Sequence, residues 1–176
     1  MKSIVEVCKT DNLLAVKDPS HWKADTTRQE EYKVHRNTNT IYLRFRRPLR
    51  GGDIVNYPLF DTYKEYINEY INLMSNYYEF VDWAAIIARL GPGKSIPKHK
   101  DNGPYFINGH RIHMPLVTHD DVLFTVGDTT MNMKPGIFYE IDNLDYHGVE
   151  NKSPINRDHL IIDLLKIGKM KKVWSK

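Results

Sequence analysis

His99-x-Asp101 in mid-chain and His147 well after it offer two imidazoles and one carboxylate. This is the donor set of the facial triad that holds Fe(II) while leaving coordination positions open, as non-haem iron oxygenases require. Further basic groups accompany it, the pair Arg111-x-His113 and, shortly beyond His147, Arg157. A guanidinium binds carboxylate through two parallel hydrogen bonds, so Arg157, with Arg111 and His113, is suited to hold a dicarboxylate cosubstrate such as 2-oxoglutarate. The ordered set predicts oxygenase chemistry, with Fe(II), 2-oxoglutarate and O2 as its inorganic and organic requirements.

No fragment of the set is specific alone. Eight histidines spread over 176 residues make a chance His-x-Asp pair about as common as not, and a second pair does occur at His119-Asp120-Asp121. The pair at 99 is preferred, because its longer interval to His147 leaves room for several short strands between the ligands. His21, His35, His110 and His119 have no partner at functional spacing and read as ordinary surface or core residues. A rival signal is Ala88-Arg-Leu-Gly-Pro-Gly-Lys94-Ser95, a relaxed phosphate-loop pattern, with Leu160-Ile-Ile-Asp163 as its magnesium strand. Such a loop works only where a helix begins at its end. Asn102-Gly103-Pro104 would stop any helix there within two turns, so a P-loop NTPase is a distant alternative. A non-catalytic β-barrel binding module, with the histidines as surface groups, is another.

The elements that must position these residues are mostly strands. From Asp61 to about Phe80, apolar residues at Tyr63, Tyr66, Ile67, Tyr70, Ile71, Met74 and Tyr77 predict one amphipathic helix, with Asp61 as N-cap and its aromatic stripe facing the core. Short β-type runs follow at Trp83 to Leu90, Ile112 to Val117, Val122 to Val126, Ile137 to Ile141 and Leu160 to Leu165, punctuated by glycine and proline. The expected class is mainly β with flanking helices, in a sandwich or barrel such as a jelly roll. Strand alternation puts His99 with Asp101 on one face, Arg111 with His113 on one face, and Arg157 at a strand start near the barrel mouth, followed on its face by His159, Ile161 and Asp163.

Composition bounds the rest. Residues 1–176 fit one domain, long enough to bury a core without staples. Hydrophobic residues at 41% and aromatic residues at 11% argue for a globular chain. The single Cys8 excludes an internal disulfide and leaves no cysteine pair for structural zinc. With no signal-peptide core and no apolar run of membrane-spanning length, a soluble, intracellular, cytoplasmic protein is expected, with no membrane partner. A net charge of +3 is too small to predict nucleic-acid binding by itself. Arg44, Arg46, Arg47 and Arg50 read as a solvated strand edge, and Lys166, Lys169, Lys171, Lys172 and Lys176 as a loosely ordered tail. A triad oxygenase acting on nucleic acid through the Arg44–Arg50 region, or on another metabolite, is the second function class.

Residues 83–165 also resemble the aspartyl/asparaginyl β-hydroxylase family of Fe(II)/2-oxoglutarate oxygenases, which includes free-proline hydroxylases. The resemblance lies in Gly-x-x-Ile96-Pro-x-His99, Arg111-x-His113-x-Pro115-Leu116, Gly136-x-x-Tyr139-x-x-Asp142, His147-x-Val149-x-Asn151 and Arg157-x-x-Leu160-x-x-Asp163. It implies a double-stranded β-helix of cupin-like form, with iron held by His99 and His147 near the mouth. It also implies that Arg157 pairs with the distal carboxylate of 2-oxoglutarate, and that His113 and Arg111 serve the cosubstrate or substrate pocket. Peptide-hydroxylating relatives can lack the middle carboxylate. Asp101 is present here, which points towards the free-amino-acid branch or to ordinary triad oxygenases. The substrate implied is an amino acid side chain, free or in a peptide, and residues 1–60 match nothing that assigns them a role.

Overall fold

The chain, seen here as a computed structural model, is described over residues 3–47, 52–101, 107 and 109–166. Its strands are β1 (Ile4–Lys9), β2 (Thr38–Arg47), β3 (Asp53–Asn56), β4 (Asp82–Leu90), β5 (Ser95–His99), β6 (Gly109–Val117), β7 (Val122–Val126), β8 (Thr129–Met131), β9 (Ile137–Ile141), β10 (His147–Asn151) and β11 (Arg157–Leu165). Two α-helices join them, α1 (Thr27–Glu31) and α2 (Phe60–Met74), with 3-10 turns at Pro19–Lys23 and Lys33–His35. All pairings are antiparallel, in a seven-stranded sheet ordered β1-β9-β6-β11-β4-β2-β3 and a four-stranded sheet ordered β5-β10-β7-β8. The fold is a mainly β jelly roll, as the turn spacing predicts.

Period-two alternation gives the large sheet two unlike faces. Ile41, Leu43, Ala85, Ile87, Ile112, Met114, Leu160, Ile162 and Leu164 form one face, and pack with Tyr63, Ile67, Tyr70 and Met74 of α2. The main hydrophobic core therefore lies outside the roll, between helix and sheet. The opposite face, turned towards the small sheet, carries Arg111, His113, Arg157 and Ile161 into a shared cavity. Polar groups can occupy the interior because the apolar burial that drives folding is met elsewhere.

The helix departs from expectation at both ends. It begins at Phe60, with Leu59 as N-cap making no side-chain bond, and Asp61 stands in the first turn, where its charge favours the helix dipole. It stops at Met74 rather than near Phe80; the expected stripe residue Tyr77 is exposed beyond it. Tyr70 ties the N-terminal segment down, its hydroxyl accepting from Leu14 N at 2.9 Å and donating to Asn12 O at 2.6 Å.

Of the arginine cluster, Arg47 is exposed as expected but Arg44 is packed. β2 lies inside the large sheet, and Arg44 pairs with Asp82 at 2.6 Å, donates to Trp83 O and covers the Trp83 ring. Arg50 and the lysines beyond Lys166 fall outside the described residues. No helix follows Lys94, since β5 starts at Ser95, so the condition for a phosphate loop is not met. Among the described residues no helix is long and apolar enough to cross a membrane.

Candidate metal and cosubstrate site

His99 closes β5 and His147 opens β10, and the two are register partners across the small sheet. Their rings stand 4.4 Å apart between centroids. Close approach of the strands depends on Gly148, where an added Cβ would meet Ile96 O at 2.9 Å and Lys98 N at 3.1 Å. In each histidine Nδ1 faces a backbone carbonyl, Pro97 O at 2.8 Å for His99 and Asp145 O at 3.0 Å for His147. A carbonyl only accepts, so Nδ1 carries the proton and Nε2 presents its lone pair inward, the tautomer a metal ligand needs.

Asp101 completes the set by a route other than a shared strand face. β5 ends at His99, and Asp101 sits beyond it, its backbone N–H donating to Asn143 O at 2.9 Å while Asn143 Nδ2 donates to Asp101 O at 3.2 Å. Its carboxylate stands between the rings, 3.8 Å from His99 Nε2 and 3.4 Å from His147 Nε2. The three ligand atoms all lie within 4.8 Å of one another. Burial alone raises the Asp101 carboxyl, but Arg111, His147 and His99 together outweigh it and hold the group well below the ordinary carboxylate range. Desolvation lowers His99, keeping that ring neutral. Two imidazoles and an ionised carboxylate fit a divalent iron. The alternative pair, His119 and Asp121, is on the surface, with side chains 41% and 63% exposed.

Arg111 and His113, grouped by sequence as cosubstrate residues, do different things. Arg111 Nε and Nη2 donate to the two oxygens of Asp163 at 2.7 and 2.9 Å, and Nη1 reaches Asp101. With carboxylates on both sides it ties Asp101 to Asp163, while still lining the cavity that His113 and Arg157 share. His113 is buried and, among the described residues, has no hydrogen-bond partner at either ring nitrogen, and desolvation with Arg157 nearby keeps it neutral.

Arg157 is enclosed, at 2% exposure, rather than at an open mouth. Its Nη2 donates to His159 Nδ1 at 2.6 Å, its Nε has no partner, and among the described residues no carboxylate pairs with it. Loss of water draws it down to about 9. An unpaired buried guanidinium is costly, and an anionic cosubstrate would relieve that cost. Asn151 fixes the approach to Arg157, its Nδ2 donating to Leu90 O, Gly91 O and Ile155 O. Bidentate Arg89–Asp158, both contacts at 2.7 Å, clamps the start of β11 against β4.

Sequence reasoning missed several lining residues. His35 is buried with its ring 5.2 Å from that of His99, and Arg28 lies beside it. His159 was given no role, yet it orients Arg157, and Phe124 lies 5.6 Å beneath the same guanidinium. Short 3-10 and helical turns at 27–35 carry no periodicity, so the sequence signal there was only residue type.

The family model of aspartyl/asparaginyl beta-hydroxylases matches residues 56–166, more than half of the chain. The protein belongs to that family. As a member of the aspartyl/asparaginyl beta-hydroxylases it shares its fold with a 2OG-Fe(II) oxygenase family oxidoreductase from Burkholderia pseudomallei, at 12% identity and a TM-score of 0.54 over 73% of this chain and 67% of that one. It is likewise similar to the viral collagen prolyl hydroxylase vCPH from Paramecium Bursaria Chlorella virus-1, at 12% identity and a TM-score of 0.53 over 95% of this chain and 97% of that one. AerE from Microcystis aeruginosa matches at 16% identity and a TM-score of 0.40, over 49% of this chain, which spans 39% of AerE. No curated protein matches the sequence. Family and fold together support a hydroxylase of the 2-oxoglutarate/Fe(II) oxygenase type.

Proposed function

We propose that this protein is an Fe(II)- and 2-oxoglutarate-dependent dioxygenase that hydroxylates an amino acid side chain, free or within a peptide, releasing succinate and CO2. One observation carries the reading: Nε2 of His99, Nε2 of His147 and the Asp101 carboxylate face one point, in the same cavity as a buried Arg157 that pairs with no carboxylate among the described residues. In this reading His99, Asp101 and His147 hold Fe(II), and Arg157 holds the far carboxylate of 2-oxoglutarate with His113 beside it. The family's name, and the prolyl hydroxylase among its structural neighbours, favour an amino acid substrate. Residues 1–176 act here as one domain, because residues before 56 supply part of the cavity wall.

Bound together, Fe(II), 2-oxoglutarate and O2 supply the oxidising power that places a hydroxyl on carbon. The chain supplies position. Asn143 and Arg111 hold Asp101 from backbone and side chain, the carbonyls of Pro97 and Asp145 engage both Nδ1 atoms and so turn both Nε2 atoms towards the site, and His159 with Phe124 orients Arg157. Ile96, Phe124, Val149 and Ile161 line the same cavity and give it an apolar wall. The test is succinate release by protein reconstituted anaerobically with Fe(II), then given 2-oxoglutarate and O2. Succinate and CO2 appearing only when metal, keto acid and oxygen are all present supports the assignment; iron bound at His99, Asp101 and His147 without any succinate overturns it.

A further inference from the structure

Beside the metal cavity lies a larger one of about 520 Å³, a size at which small-molecule sites are found. Its lining comes from the segment around α1, from β2 and from the chain just before α2, and includes Asp25, Glu31, Tyr42, Arg47 and Tyr57. Tyr42 lines this cavity and not the metal one, but it packs with Ala88 and Ile161, which line the metal cavity, so it forms the partition between the two. Asp25, Glu31 and Tyr42 all precede the stretch that the family model matches, so membership of the family does not say what this cavity takes.

Its polar groups suit a cation. Asp25 is half-buried and gives one oxygen to Thr27 N at 2.9 Å, and Glu31 stands exposed at the rim; among the described residues neither pairs with a cation. Tyr42 is 3% exposed, and its buried hydroxyl has no hydrogen-bond partner among the described residues. Burial keeps that hydroxyl protonated, with Arg28 of the metal cavity opposing the effect and Asp25 of this one adding to it. A buried hydroxyl left unpaired is costly, and a ligand N–H could meet its lone pairs. Tyr42 and Tyr57 stack with centroids 5.0 Å apart, and the Arg47 guanidinium already rests 5.8 Å from the Tyr57 ring centre. The chain itself thus places a cation on this aromatic wall, as the negative face of a ring favours. With Arg47 set against the two carboxylates, these charged lining residues keep one negative charge in excess. An anion would meet Asp25 and Glu31 as like charges, and a neutral apolar body would leave the Tyr42 hydroxyl and both carboxylates without partners.

We propose that this cavity binds the cationic end of a basic side chain, alkylammonium or guanidinium, belonging to the molecule that is hydroxylated at the metal. Asp25 and Glu31 meet the charge, the Tyr42 hydroxyl accepts one N–H, and the methylene stem packs along the two tyrosine rings. The substrate class is therefore a lysine- or arginine-type compound, free or as a residue of a peptide. The assignment of this ligand as substrate rests on the dioxygenase reading.

Isosteric pairs read the charge alone. Protein loaded with Mn(II) and 2-oxoglutarate, kept anaerobic, is titrated calorimetrically with arginine against citrulline and with lysine against norleucine. Each pair is used first as free amino acids and then as the central residue of end-capped tripeptides, and the set that shows the preference identifies the source. In at least one pair the basic member is expected to bind at least about tenfold more tightly. Asp25→Asn keeps the oxygen that accepts from Thr27 N and loses the charge, so it should reduce that preference, and Asp25→Asn combined with Glu31→Gln should remove it. Tyr42→Phe should weaken binding of the basic member without lowering the melting temperature of the free protein, because its hydroxyl has no partner to lose; a merely structural role would lower that temperature instead. Equal binding within every pair, no binding of any basic probe, or a preference that persists in the doubly substituted protein overturns the assignment. Should the double variant fail to fold, Tyr42→Phe and the isosteric pairs in the unsubstituted protein decide. Succinate release is followed in parallel with Fe(II): its absence under every condition sinks the dioxygenase reading even where the charge preference stands, whereas its presence without charge preference sinks only the role given to this cavity.

Discussion

Arg111 and Asp163 face one another across β6 and β11 as register partners and close a two-pronged ion pair, 2.7 and 2.9 Å long, inside the roll. The pair leaves one terminal nitrogen of Arg111 to reach Asp101. Asp163 thereby bears on the metal ligands without touching them. Asp163→Asn should weaken Mn(II) or Fe(II) binding by roughly 10–100-fold, the usual cost of removing a group that orients a ligand. Asp163→Ala should also lose about 3–5 kcal/mol of stability, since it strands a buried cation. Metal titration and chemical denaturation check both; unchanged metal affinity in Asp163→Asn would show that Asp101 needs no tether.

Choice of motif is open to a paired comparison. Asp101→Ala removes the carboxylate between two rings and should abolish tight metal binding, whereas Asp121→Ala, 63% exposed at its side chain, should leave affinity within about twofold. Metal content after anaerobic gel filtration reads the difference. The reverse result would move the site to His119.

Arg157→Lys keeps the charge and loses the planar fork that meets His159. The 2-oxoglutarate dissociation constant of Mn(II)-loaded protein should rise at least about tenfold, with metal affinity within about twofold. Equal 2-oxoglutarate affinity in both proteins would assign the cosubstrate to another cation.

Gly148→Ala tests how closely β5 and β10 must approach. Its new methyl meets the backbone at Ile96 O and Lys98 N, which side-chain rotation cannot relieve. About 1–3 kcal/mol of stability should be lost to overpacking, and spreading His99 from His147 should weaken metal binding as well. A variant as stable and as metal-competent as its parent would mean that the strands separate at little cost.

Glu140 provides a pH prediction away from the metal. It accepts from Tyr78 Oη at 3.1 Å and pairs with His110, and the His110 hydrogen bond chiefly holds its carboxyl below the ordinary range. A depressed folded-state value favours folding above the unfolded carboxyl's pKa, and that contribution disappears as pH falls through the folded value. Glu140→Gln should therefore cost about 1 kcal/mol at pH 7, discounted for partial exposure, and less near pH 3. Urea titrations at the two pH values check it; a cost that grows in acid would reverse the sign of the argument.

What was legible from the chain was chemistry and period. His99, Asp101 and His147 could be picked out because few residue types bind iron, and β4, β6, β7, β9 and β11 because hydrophobic runs ended at glycine and proline. The two carboxylates of the tether were visible, but their sharing of Arg111 was not: Asp101 is placed by Asn143, far along the chain, after its strand has ended. Arg28 and His35 were illegible for a local reason. They sit on turns of five and three residues whose place is set by what they pack against. β2 was obscured by its arginines, which suggested solvent although Arg44 is held by Asp82 and Trp83.

The two unlike faces of β11 have a consequence for how this protein tolerates change. Leu160, Ile162 and Leu164 answer to the helix, while Arg157, Ile161 and Asp163 answer to the cavity and its tether, and the two sets alternate along a single strand. Substitutions of the leucines register as melting temperature, whereas Arg157 and Ile161 register first as ligand affinity; Asp163 alone belongs to both records, because its loss also strands the buried Arg111 charge. A lineage could thus exchange lumen residues other than Asp163 with little change in its thermal record. Drift in the helix-facing leucines, by contrast, would erode the fold and leave the catalytic inventory intact.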